Sequence, residues 1–307
     1  MFVENRKTNE RFHNRNAMKK GSATSIRTVL LNLSQKEGLV FQQVVTRYLH
    51  ERLLYRLSLS EYRSKFILKG GNLLYAIEGL HVRPTMDIDI LAKHVVNDKE
   101  TLKNIFKEIC SVKYDDDCVN FDAANIIVTD IAEEKKYSGI RLSIKARIDT
   151  IKQLLQVDIG FGDIITPAPV MISYPTLLHE LNSPNIMAYP VETIIAEKFH
   201  AMILLGAFNS RMKDFYDMYI LFKNNEIENM CLQDAILQTF KQRDTIFVKN
   251  HPLFSESFYE DTNRQTMWKA FLRKMKISGD LEFPYIVKFI LKRLQPIYNN
   301  LQKFNQT

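Results

Sequence analysis

The sequence predicts an α/β (α+β) core preceded by two helices and followed by an α-helical C-terminal region. Three observations carry this. Apolar residues recur at helical period through residues 22–55. Alternating and β-branched runs, the mark of strands, then dominate to residue 161. Beyond the cluster Pro167, Pro169, Pro175, Pro184 and Pro190 the helical period returns and holds to the end.

Ser22–Ser25 offers N-cap residues ahead of Ile26, Val29, Leu30 and Leu33, and Gly38 closes that first helix. Residues 40–55 read as a second helix with Val44, Val45, Tyr48, Leu49 and Leu53 on its apolar face. Residues 66–68 are a short buried strand, 72–78 a helix ended by Gly79, 86–91 a strand and 99–110 a helix. Strands follow at 119–121, 126–131, 141–147 and 154–161. The run Asp115-Asp116-Asp117 between helix and strand reads as a solvated turn and not as a metal site. The proline cluster reads as a connector, because proline removes a backbone donor and breaks regular elements. Helices are expected at 191–205, 213–222, 232–241, 264–276 and 284–303. No internal repeat is present.

At 307 residues, 46% hydrophobic and 25% charged, the chain has the composition of one large or two ordinary globular domains. Its apolar stretches, such as 201–205 and 218–222, are too short to span a bilayer, so no membrane is expected as a partner. The N-terminus is polar and basic, without a signal-peptide apolar segment. Cys110, Cys118 and Cys231 are scattered with no CxxC spacing, which argues against a disulfide framework or thiolate zinc and fits a cytoplasmic protein. The net charge of +7 sits at the ends: residues 1–20 hold six basic and two acidic residues, and 264–307 nine and two. Such ends fit a polyanion such as RNA, or simply a solvated surface.

Asp87 and Asp89 flank Ile88 on one strand, so their side chains share a face while Met86, Ile88 and Ile90 share the other. Adjacent carboxylates repel unless a cation lies between them, and Mg²⁺ suits such oxygen donors. The bland alternative is the exposed face of an edge strand. Lys69-Gly70-Gly71 sits between a strand and a helix, where glycines let backbone amides approach phosphate, or where they merely make a tight turn. Asp158, in "LLQVDIGFGD", stands mid-strand and needs a partner for its charge. That partner is a metal, or else Arg141 or Arg147 on a neighbouring strand. In "ETIIAEKFHAMILLGAFNSRMKDFYDMYIL", Lys198 lies off the apolar face and could reach a phosphate or pair with an acid one turn away. Asp214 and Asp217 share a face near a helix start, as dipole partners or as groups that accept a proton or orient Lys198 or Arg211.

"KGGNLLYAIEG…RPTMDIDIL", "VDIGFGD" and "EKFHAMILLG…SRMKDFYDMYIL", with the N-terminal stretch from Ser25 to Gly71, resemble the AbiEii/AbiGii toxin family of nucleotidyltransferases, within the polymerase-β-like superfamily. The resemblance covers about residues 22–225. It implies a nucleotidyltransferase core with a mixed β-sheet over 22–175, after a basic arm at 1–21 and before a helical domain at 176–307. It also implies residue roles. Gly70 and Gly71 match the phosphate-holding glycine pair, with Lys69 beside them. Asp87, Asp89 and Asp158 match the metal-binding carboxylates, and Arg83 and Thr85 the preceding Arg-x-Thr. Lys198 matches a triphosphate-holding lysine, and Arg211 and Asp214 an Arg-x-Lys-Asp segment. Members act as toxins with a cognate antitoxin, and some transfer nucleotides to tRNA. Residues 72–86 separate the glycine and aspartate pairs more widely than in minimal polymerase-β-like enzymes. The last eighty or so residues match no motif.

The expected function is Mg²⁺-dependent transfer of a nucleoside monophosphate from a nucleoside triphosphate, with Mn²⁺ able to substitute. The acceptor is a hydroxyl of a tRNA-like RNA, docked by the basic helices at 264–303. Two rival readings remain. The acceptor could be a small molecule or a protein, or the chain could be a non-catalytic binding protein on the same scaffold.

Overall fold

The computed structural model describes residues 22–80, 82–131, 139–277 and 279–304, so the basic arm expected at 1–21 lies outside the described residues. Eight strands form one mixed sheet. They are β1 (Phe66–Lys69), β2 (Asp87–Ala92), β3 (Asn120–Phe121), β4 (Ile127–Ile131), β5 (Gly139–Ile148), β6 (Ile151–Phe161), β7 (Val170–Ser173) and β8 (Asn185–Ala188). Their order is β3-β5-β6-β2-β1-β8-β7, with β4 also paired to β5. β2 runs antiparallel to β1 and parallel to β6, which places it at the centre of the sheet and not at an edge.

Helices α1 (Ala23–Lys36) and α2 (Phe41–Leu59) precede the sheet, as the sequence predicts. The apolar face expected on α2 is buried, but so is the rest of Val44–Leu57. Gln153 donates to Thr46 of α2 at 2.6 Å, so α2 lies on the sheet face that also carries Leu155, Val157 and Ile159. The charges that this burial traps are ion-paired or hydrogen-bonded. Arg47 donates to the carbonyls of Leu80 and Val82, pinning the segment that leads to Arg83 and Thr85. Arg52 pairs with Glu51 at 2.6 Å. Arg56 grips Asp117 with two donors. This corrects the reading of the aspartate run: Asp117 is 0% exposed and serves as the anion for α2, although Asp115 and Asp116 do face solvent.

α3 (Gly70–Glu78) links β1 to β2, and α4 (Lys99–Ser111) packs against α2 and β4. The proline cluster is not a plain connector. β7 and β8 lie within it, with Pro167 and Pro169 before β7, Pro175 and Pro184 between the strands, and Pro190 capping the next helix. Each proline flanks a strand, where no ladder donor is lost. The sheet therefore runs on to Ala188, and the helices follow from Val191.

The remaining helices are α5 (Val191–Leu205), α6 (Met212–Asn224), α7 (Asn229–Gln242), α8 (Glu256–Tyr259), α9 (Thr262–Met275) and α10 (Phe283–Phe304). α5 packs on α7, and α6 on α9 and α10, around Phe199, Phe215, Phe240, Trp268, Phe283 and Tyr298. Among the described residues no helix is long and apolar enough to cross a membrane.

Candidate active site

The parallel register of β2 and β6 sets Asp89 directly beside Asp158, and the two-residue period adds Asp87 on the same face. One carboxylate oxygen from each lies within 4.8 Å of the others. Ile88, Ile90, Val157 and Ile159 are buried on the opposite face, so the register cannot slip without exposing them. Thr85 donates to Asp87 Oδ1 at 2.7 Å, and Asn72 Nδ2 donates to the Asp87 carbonyl at 2.7 Å. Asn72 is itself buried and accepts from the Tyr174 hydroxyl at 3.1 Å. Burial, then the charge of Asp87, pushes the Asp89 carboxyl up to about 6 against the pull of Lys69. These donors fit a hard divalent cation, which would relieve that repulsion.

The glycine pair is dictated by this cluster. Gly70 opens α3 at φ +66, and a Cβ there would lie 2.0 Å from Asp89 Oδ2. At Gly71 a Cβ would lie 2.6 Å from Thr85 Cβ. The N-terminus of α3 thus meets the carboxylate face with no side chain between, where its amides favour phosphate. Gly70→Ala should cost about 2 kcal/mol or more from backbone strain and displacement of Asp89. Thermal melting and calorimetric Mn²⁺ titration check this, and a variant unchanged in both would contradict the packing.

Asp158 satisfies both alternatives left open by the sequence. It joins the aspartate pair, and it is also clamped by Arg141 on β5, which donates from Nε at 2.7 Å and Nη2 at 2.6 Å. Arg141 competes with any cation for those oxygens. Arg141→Gln should therefore bind Mn²⁺ about tenfold more tightly, given ~1.5–3 kcal/mol for charge-assisted bonds. Calorimetric titration decides it, and an unchanged or weaker affinity would contradict the competition.

Across a cleft of about 490 Å³, α5 and α6 supply cations. Lys198 Nζ donates to Asp214 Oδ1 and Asp217 Oδ2, each at 2.8 Å. Burial pulls the Lys198 ammonium down, but Asp217 and Asp214 outweigh it and hold it above its ordinary value. Arg83 donates twice to Asp217, from Nε and Nη2 at 2.8 Å, and Arg211 pairs with Asp214 at 2.7 Å. Asp214 and Asp217 thus both contact Lys198, and Asp214 also contacts Arg211. Burial presses the Asp214 carboxyl up, and Lys198 and Arg211 more than reverse it, leaving it below the ordinary range. Lys213 is exposed on the rim and has no ion pair within 4 Å among the described residues.

Lys69, beside the glycine pair, is tied to acids. Its Nζ is bonded to Asp163 at 2.7 Å, with Glu197 at 3.9 Å, and Arg243, just past the end of α7, bonds both acids. Lys69 lines the cleft as one member of a four-charge cluster. The sequence reading missed Asn72, Asp163, Glu197 and Arg243. Asp163 and Glu197 lay inside the quoted motifs, but Arg243 had no signal, because its contact depends on how α7 packs on α5.

The family model described as nucleotidyl transferase AbiEii toxin, type IV TA system, matches residues 52–289. No curated protein matches the chain. Among solved structures, one of a candidate nucleotidyltransferase from H. pylori is 15% identical, with 87% of this chain and 99% of that one covered and a TM-score of 0.47. JHP933 from Helicobacter pylori is 13% identical, with 86% and 98% covered and a TM-score of 0.46. An antigenic nucleotidyltransferase-like protein from Paracoccidioides brasiliensis is 13% identical, with 79% and 92% covered and a TM-score of 0.37.

Proposed function

This chain belongs to the AbiEii family of nucleotidyl transferase toxins of type IV toxin–antitoxin systems, and on that premise we propose that it moves a nucleoside monophosphate from a nucleoside triphosphate to an RNA hydroxyl, with a divalent cation as cofactor. The observation that carries this reading is a cleft with three carboxylates and a glycine-opened helix on one wall, and Lys198, Arg211 and Lys213 on the other. A triphosphate fits between walls of opposite character.

Asp87, Asp89 and Asp158 would hold Mg²⁺, or Mn²⁺ in its place. A divalent cation there supplies charge stabilisation to the transferring phosphoryl group. Gly70 and Gly71 present the start of α3 to the phosphates. Lys198, oriented by Asp214 and Asp217, and Arg211 face the same phosphates, and Arg83 is locked by Asp217 behind them. Asp158 accepts the proton of the acceptor hydroxyl once one of its oxygens is released by Arg141. The basic residues of α9 and α10 draw the RNA by charge, without reading sequence. The protein works in the cytoplasm, where nucleoside triphosphates are available, and an antitoxin restrains it.

The acceptor class is tested by incubating the protein with Mg²⁺, each α-labelled nucleoside triphosphate in turn, total RNA and cell protein. Label that is sensitive to ribonuclease is expected. Label in protein or in a small molecule would overturn the RNA acceptor while leaving the transfer chemistry in place.

A further inference from the structure

Both ends of the segment 204–213 line the cleft, through Leu204 and Leu205 at the end of α5 and Arg211 and Lys213 at the start of α6. Between them the turn Gly206–Phe208 carries Phe208 into solvent, 91% exposed, next to Leu204 at 71%. Single exposed apolar residues are common and mean little on a loose loop. This turn is held in place from several sides. Gly206, at φ +46, packs against the His251 ring, and that ring is within 2.9 Å of the Ile203 carbonyl. Buried Asn209 accepts from the Arg211 amide at 2.9 Å. Arg264 donates to the Ala207 carbonyl.

The last contact has a second consequence. Arg264 lies in the first turn of α9, so that basic helix starts at the rim of the cleft. Thr262–Met275 contains no acidic residue and exposes Lys269, Arg273 and Lys274. An aromatic ring on a fixed turn thus stands between the catalytic cleft and a positively charged helix.

We propose that Phe208 is the platform on which a base near the reacting end of a single-stranded RNA acceptor stacks, with Arg211, Lys213 and α9 following its phosphates. This rests on the RNA reading of the acceptor. One ring and one leucine among cations is the pattern of base stacking beside phosphate contacts. A protein partner would call for a broad apolar patch, which the cations around Phe208 interrupt.

The test measures nucleotide transfer to a short single-stranded RNA with a free 3′ hydroxyl, for the wild type, Phe208→Ala and Phe208→Trp. Because Phe208 is on the surface, neither change threatens the fold, and circular dichroism confirms this. Stacking predicts that Phe208→Ala raises KM for RNA about five- to a hundredfold, the range that losing one aromatic stack gives. It leaves KM for the nucleoside triphosphate unchanged, and Phe208→Trp keeps RNA affinity and loses fluorescence on binding. Wild-type transfer to RNA with an unaltered KM in Phe208→Ala would overturn the platform alone. Absence of RNA transfer by the wild type would overturn the acceptor reading and the platform with it. A fall in oligomeric mass in Phe208→Ala, with KM for RNA unchanged, would assign the ring to a contact between copies instead.

Discussion

Asp89→Asn should lower nucleotidyl transfer about a thousandfold or more and yet make the metal-free protein more stable at pH 7. The loss follows from removing the central member of the carboxylate trio, since metal stabilisation of the transferring group is worth several kcal/mol and each ~1.4 kcal/mol is tenfold in rate. The gain follows from the raised Asp89 carboxyl, held near 6 by burial and by Asp87 against an ordinary value of 3.8. The sign is fixed by linkage. Between those two values the folded state binds more protons than the unfolded state, so stability falls as pH rises from about 4 to about 6 and stays low above that. Asparagine carries no such penalty. The stabilisation is at most about 3 kcal/mol at pH 7 and vanishes near pH 4. Melting curves in a chelator at both pH values, beside a transfer assay, check the two halves. A variant less stable than wild type at pH 7 would contradict the electrostatic account of the site.

The second large effect is expected at Asp217. It lies at the junction of three elements, accepting from Arg83 before β2, from Lys198 on α5, and sitting itself on α6. Asp217→Ala leaves the Arg83 guanidinium without its carboxylate and takes one of two anions from Lys198. Breaking a buried pair of this kind costs roughly 3–5 kcal/mol. Affinity for the nucleoside triphosphate should also fall, because Arg83 loses its fixed direction and Lys198 is held by Asp214 alone. Denaturant unfolding and nucleotide titration in Mg²⁺ measure these separately. A loss of less than about 1 kcal/mol, the value of a surface pair, would contradict the central position of Asp217.

Most of the carboxylate wall of the cleft was legible in the sequence because strands have a simple rule. A two-residue period puts Asp87 and Asp89 on one side, and a lone acid in the run around Asp158 asks for company. The i,i+3 spacing of Asp214 and Asp217 likewise matched their shared contact with Lys198. Other features depend on contacts between distant segments and leave no periodic trace. Lys69 read as a phosphate cation because of its glycine neighbours, but Asp163, Glu197 and Arg243 surround it through the packing of β6, α5 and α7. Asp117 read as solvated because it follows two other aspartates, and only the path of α2 brings Arg56 to it. β7 and β8 were hidden because their flanking prolines mask short strands. The family match also shifts the limits expected from the motifs, beginning at residue 52 and running to 289, so α9 and part of α10 lie within the matched region.

The measurement that bears most directly on the whole account is transfer of α-labelled nucleoside triphosphate in Mg²⁺ by the wild type and by Asp87→Asn. Label joined to an acceptor by the wild type is expected, lost on chelation of the metal and lost in Asp87→Asn although that variant remains folded. Transfer retained by Asp87→Asn would mean that Asp87, Asp89 and Asp158 are not the reaction centre.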